Sequence, residues 1–172
     1  MNSPHYILLP ASPFFILVSL ALAFFLNFLP WGHAIGVPDF VALVLVFWSI
    51  HQPRKVGIGV AFMMGLLMDV HDATHLGENA LTYTLLSYFA ITIHRRVLWF
   101  KPLTQSLYVL PLFLFAQTVQ LIVRLVVAQD AQFPGWLYFV ESFVTTALWP
   151  IASWLLLAPQ RRAVDRDDTR PI

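Results

Sequence analysis

The sequence predicts an all-α fold: a polytopic membrane protein of six transmembrane helices in one bundle, with both termini in the cytoplasm. Three observations carry that expectation. The 172 residues are 59% apolar and only 11% Asp, Glu, Lys or Arg, less than half the roughly 25% charged content of an ordinary soluble domain. The polar residues that remain are bunched, leaving six apolar blocks between them. Nine of the ten cations lie in alternate connections or in the tail. A chain of this size buries only about 70% of its surface, so a single water-soluble globule cannot hide so large an apolar fraction, and lipid has to cover the rest.

In chain order the blocks are Phe14–Pro30, Val37–Ile50, Val56–Val70, Leu76–Ile93, Leu103–Ala128 and Trp136–Pro159. A helix needs about 20 mostly apolar residues to cross ~30 Å of hydrocarbon. The first, fourth, fifth and sixth blocks suit that requirement, whereas the second and third hold only 14 and 15 residues. Joined as a re-entrant hairpin, those two would place His51-Gln52-Pro53-Arg54-Lys55 at mid-membrane, at about 2.5 to 3.5 kcal/mol per central cation. Two short spans in a locally thinned bilayer cost only fractions of a kcal/mol per Å, so both are read as spans. Ala21-Leu22-Ala23 has the small-residue spacing of a secretory cleavage site, but no Lys or Arg precedes it and the apolar run continues to Leu29, which favours a first span. Residues 1–159 thus form a single transmembrane domain, and 160–172 read as a solvated, disordered cytoplasmic tail.

Orientation follows from the cations. Arg54 and Lys55 join spans two and three, Arg95, Arg96 and Lys101 join spans four and five, and Arg161, Arg162, Arg166 and Arg170 follow span six. The other connections carry no Lys or Arg, so the positive-inside rule places both ends in the cytoplasm. Trp31 and Trp136 fall at the outer boundary and Trp48 and Trp99 at the inner one, as aromatic anchors would. A formal charge of +1 offers no basic face for nucleic acid, and the absence of cysteine excludes disulfides, thiolate metal sites and Cys nucleophiles.

Within the membrane, Gly57, Ala61 and Gly65 recur every four residues on one face of span three, and the next step is Asp69. This small-residue stripe lets another helix approach closely. Two readings stand: a seam inside the bundle, with Asp69 bonding a neighbouring backbone, or a docking face for a partner's helix. Gln117, Gln120 and Arg124 share a face of span five, and Glu141 and Thr145 share a face of span six. An antiparallel hairpin would bring Arg124 and Glu141 to similar depth, either as a helix–helix clamp or as the lining of a polar pocket for a small molecule or lipid headgroup. The connection from Asp69 to His75, with Glu78 beyond it, carries acids and imidazoles. Capping of span four and favourable placement of Glu78 at the helix dipole account for them better than a metal does. No nucleophile stands beside a base in a supporting context, so the chain is read as non-enzymatic and without a cofactor.

From span two onward the residues form a familiar series. Val46-Phe47-Trp48-Ser49-Ile50-His51-Gln52-Pro53-Arg54-Lys55-Val56-Gly57-Ile58-Gly59 is followed by Phe62-Met63-Met64-Gly65-Leu66-Leu67-Met68-Asp69, then by Leu76-Gly77-Glu78-Asn79-Ala80-Leu81 and Tyr88. Together with Leu29-Pro30-Trp31 and Leu148-Trp149-Pro150, this resembles the MreD family of rod shape-determining membrane proteins over the whole chain. One departure is Pro38-Asp39-Phe40, where many members carry Pro-Asn-Trp, which weakens any claim that an amide at position 39 is required. The resemblance implies a multi-pass inner-membrane component of the bacterial elongation machinery that regulates cell shape. It implies association with the bitopic protein MreC and, through the complex, with MreB and with the glycosyltransferase and transpeptidase of lateral peptidoglycan synthesis. It also implies a fold similar to the six-helix substrate-binding components of energy-coupling vitamin transporters.

Overall fold

The computed structural model describes residues 6–8, 11–30, 36–73, 75–127 and 133–163. Six helices account for most of them: α1 (Pro13–Phe28), α2 (Phe40–His51), α3 (Ile58–His71), α4 (Glu78–Val97), α5 (Pro102–Val127) and α6 (Val140–Leu157). Ser12 caps α1 by accepting from the Phe15 N–H at 3.2 Å, with Pro13 in the first helical position, where its missing N–H is no loss. Asp39 caps α2 through the Ala42 N–H at 2.9 Å. Pro111 and Pro150 lie inside α5 and α6 without ending either helix.

Beyond the helices, Tyr6–Leu8 (β1) pairs antiparallel with Arg161–Ala163 (β2). This ladder joins the segment before α1 to the segment after α6. The two ends of the helical array therefore lie together, as an even number of alternating helices requires. The tail expected to be solvated thus begins as a paired strand, and residues 164–172 lie outside the described ones.

Helix α2 packs against α1, α4 and α6, while α3 packs on α4, α4 on α5 and α5 on α6. Nine of the twelve α2 residues are buried, and Trp48, Phe47 and Trp149 form the bulk of the core. Each buried indole N–H has an acceptor. Trp48 donates to Ser19 Oγ at 2.8 Å and Trp149 to Gln105 Oε1 at 3.2 Å, which removes the penalty of hiding a polar N–H. Trp48 is therefore no boundary anchor, contrary to expectation. It lies on a helix surrounded by other helices and is 0% exposed. Trp99 and Trp136 are exposed, and Trp31 lies outside the described residues.

The outward surface is apolar: Phe14, Leu17, Val70, Leu103, Leu107 and Val126 all stand exposed. Water would penalise such a surface and hydrocarbon would not. Pro102–Val127 and Trp136–Gln160 are each long and apolar enough to cross a membrane, and α1, α2 and α3 are shorter apolar helices.

Candidate functional site

The small-residue stripe of α3 faces α4. An added Cβ at Gly65 would lie 2.4 Å from Ala80 Cα and 2.6 Å from both Ala80 N and Asn79 O, so the two backbones touch where a side chain would otherwise stand. Ala61 is fully buried. Asp69, one turn beyond Gly65, accepts from the backbone N–H groups of Gly77 at 2.7 Å, Asn79 at 2.6 Å and Ala80 at 3.4 Å. The start of α4 has no local side-chain cap, because its N-cap residue is Gly77, with φ +103°. The carboxylate of the preceding helix serves instead, placed at the positive end of the α4 dipole. Of the partner-docking face expected at Gly57, Ala61, Gly65 and Asp69, the last three are taken up within the molecule, since close backbone approach to α4 leaves no room for a second helix. Gly57 stands at the α3 N-cap, away from this contact.

At the same end of the helices, the polar residues of α5 and α6 meet α4 and the start of α2. Arg124 does not pair with Glu141, as expected from the sequence, but with Glu78. Its Nε and Nη2 donate to Glu78 Oε1 at 3.2 and 2.8 Å. Glu78 sits in the first turn of α4, which packs directly on α5, and its side chain is only 1% exposed. A carboxylate so thoroughly desolvated holds the available guanidinium. Glu141 takes a neutral donor instead, Gln117 Nε2 at 3.1 Å, and that amide also donates to Tyr138 O at 2.7 Å. Gln117 Oε1 accepts from Ser142 Oγ. Gln120 donates to Asn79 Oδ1 at 2.9 Å and accepts from the Tyr138 hydroxyl at 3.2 Å. Thr145 Oγ1 accepts from the Asp39 N–H at 3.2 Å.

Asp39 is the member of this network that the sequence did not reveal. Its Oδ1 accepts from Asn27 Nδ2 at 3.0 Å as well as from the Ala42 N–H, and its Oδ2 from the Tyr83 hydroxyl at 2.6 Å. Asn27 Oδ1 in turn accepts from the Phe40 N–H at 3.0 Å. One carboxylate thereby ties α1, α2 and α4 together. The signal available was its N-cap position three residues before Ala42; the tyrosine and asparagine partners are 44 and 12 residues away in the chain.

These groups surround a cavity of about 300 Å³ lined by residues of all six helices or their caps, among them Asn27, Asp39, Asp72, Tyr83, Arg124 and Glu141. The ends of α1, α3 and α5 meet the starts of α2, α4 and α6 there, so successive helices alternate in direction. Beneath lies a chamber of about 30 Å³ between Asp39, Tyr83, Gln117, Glu141 and Ser142, room for about one water. A second, apolar space of about 420 Å³ opens between α1 and α3, lined by Ile16, Leu17, Leu20, Phe24, Val60, Met64 and Leu67, with Lys55 as its one charged residue.

The connection from Asp69 to His75 brings His71 Nε2 within 3.8 Å of Asp72 and His75 Nδ1 within 4.0 Å of Glu78. Among the described residues no three His, Cys, Asp or Glu converge as metal ligands would. Asp72, at the end of α3, is held above the usual carboxylate range by burial, an effect that nearby His71 opposes.

A family model described as "rod shape-determining protein MreD" matches residues 7–158. The rod shape-determining protein MreD of Haemophilus influenzae is 32% identical over 158 residues, covering 88% of this chain and 93% of that protein. No solved structure matches the chain.

Proposed function

Because the chain belongs to the MreD family of rod shape-determining proteins, we propose that it is a non-enzymatic, six-span scaffold of the bacterial inner membrane, with both termini cytoplasmic. In this reading it docks the transmembrane helix of MreC and so supports lateral peptidoglycan synthesis and rod shape. The elongation transpeptidase, the glycosyltransferase and MreB associate with it through that complex. Six alternating helices, the joined chain ends and the gathering of Lys and Arg at one end support the topology.

The observation that carries the docking reading is the apolar space between α1 and α3. Its lining recurs along both helices, at Ile16, Leu20 and Phe24 on one side and Val60, Met64 and Leu67 on the other. Such i, i+3 and i, i+4 rows form ridges into which the side chains of a third helix can settle. Lys55 stands at the cation-rich mouth, where its Nζ donates to Ala11 O. The occupant that fits is an apolar helix with a polar or acidic residue at its cytoplasmic boundary.

Photo-crosslinking in cells tests this, with the reactive residue placed at Leu17, Leu20, Met64 or Leu67 and, for comparison, at Leu107 on exposed α5. The expected result is crosslinking of MreC from the α1 and α3 positions and none from position 107. Equal crosslinking everywhere, or crosslinking from α5 alone, overturns the assignment.

A further inference from the structure

We infer that the polar cavity at the cation-poor end binds an organic ammonium group, carried either by a lipid headgroup or by a free small amine. This site is separate from the α1–α3 groove, and either assignment can fail without the other. Three observations support it.

The first is size and convergence. About 300 Å³ corresponds to the liquid volume of about ten waters and lies at the lower end of ordinary ligand pockets. Every helix or its capping residue sends a polar group to the wall, from Asn27 of α1 to Glu141 of α6.

The second is charge. Asp39, Asp72 and Glu141 line the cavity, and Arg124 is the one Lys or Arg among the lining residues. Its guanidinium is already engaged by Glu78 through two hydrogen bonds. The connections spanning 31–35 and 128–132 contain no Lys or Arg either. Three carboxyl groups therefore face one volume whose one lining Lys or Arg is already engaged, and the imidazole of His71 lies 3.8 Å from Asp72 alone. Asp39 is fixed by Asn27, Tyr83 and the Ala42 N–H, and Glu141 is held by Gln117. Asp72 stands at the rim with its side chain 38% exposed.

The third is spacing. Divalent cations gather six or more oxygens around a single point, yet no three acidic or imidazole groups converge that closely among the described residues. The carboxyl groups are instead spread around a space that suits a larger, softer cation. Tyr83 and Tyr138 belong to the same wall, and aromatic faces are the usual companions of ammonium ligands.

The full chain in nanodiscs of mixed phosphatidylethanolamine and phosphatidylglycerol, released into native mass spectrometry, tests the headgroup source. Thermal stabilisation by ethanolamine, against sodium chloride at equal ionic strength, tests the free amine. Retained phosphatidylethanolamine in preference to phosphatidylglycerol supports the lipid source; stabilisation by ethanolamine without lipid preference supports the soluble one. In Asp72→Asn/Glu141→Gln the effect should fall about tenfold, the loss of roughly one ionic contact. Asp72→Asn alone, at the exposed rim, should weaken it about threefold and keeps the test decisive if the double variant does not fold. Absence of both effects in the wild type, preference for phosphatidylglycerol, or undiminished binding by either folded variant overturns the assignment.

Discussion

Replacing Gly65 by Ala places the most direct load on the α3–α4 seam. The new Cβ would sit 2.4 Å from Ala80 Cα and 2.6 Å from Ala80 N and Asn79 O, whereas unstrained carbon contacts lie near 3.5 to 4.0 Å. All three atoms are backbone, so no side chain can swing away and α4 must withdraw by about 1 Å. Overpacking of this kind costs about 1 to 3 kcal/mol. Withdrawal also stretches the bonds from Gly77 and Asn79 to Asp69, now 2.7 and 2.6 Å, and a hydrogen bond to a charged acceptor contributes about 1.5 to 3 kcal/mol. The better helix propensity of Ala returns about 1 kcal/mol, leaving a net loss of about 3 kcal/mol. Equilibrium unfolding of the purified chain in mixed micelles measures it. Gly59→Ala is the matched control, because a Cβ there meets nothing within 4 Å, and it should be neutral or slightly stabilising. A Gly65→Ala variant within about 0.5 kcal/mol of wild type, or a Gly59→Ala variant equally damaged, would refute the close-approach argument.

Three further outcomes are expected. Arg124→Leu should cost about 3 to 5 kcal/mol by stranding Glu78, which is 1% exposed, while Glu78→Gln should cost less because Arg124 is 39% exposed and can turn to solvent. A double-mutant cycle in the same unfolding assay checks that asymmetry, and equal single costs would contradict it. Trp48→Phe should lose about 1 to 2 kcal/mol through the indole bond to Ser19, read as a lowered Tm; an unchanged Tm would mean the bond is not formed. Asp72→Asn should stabilise the protein at neutral pH, because burial raises the folded-state pKa of Asp72 and its ionisation opposes folding. That advantage is present above the raised pKa and fades as pH falls toward the ordinary aspartate value of 3.8. A gain that grew on acidification would reverse the sign of the argument.

Much of the fold is visible in one dimension because apolar length and cation placement are local properties of the chain. The helix-forming blocks match α1 to α6 to within a few residues, and even the short second and third blocks form helices. Pair identity is a different kind of information. Arg124 has acidic candidates on both neighbouring helices, and depth along a helix places Glu78 and Glu141 almost equally well. Only the rotation of α4 against α5 decides for Glu78. The Gly65 stripe shows that a helix approaches closely, but the same three residues would serve a neighbour or a stranger, and Ala80 settles it by contact. Trp48 illustrates the reverse error: a tryptophan near a helix end satisfies the pattern of an interfacial anchor, while its actual environment depends on α2 lying between α1, α4 and α6.

The enclosure of α2 bears on how the chain is assembled. A helix of twelve residues extends about 18 Å, too little to match a bilayer, yet with nine residues buried its surroundings are protein and not lipid. Its length is therefore set by its neighbours. During synthesis α2 emerges before α4 and α6, which later cover it, so its Ser49 hydroxyl lacks Ser87 and its Phe47 ring lacks Trp149 until those helices arrive. In the proposed topology, shortening the chain before α6 should leave α2 without a lasting home in the membrane. Helix α6, made well after α2, is then what commits α2 to its place.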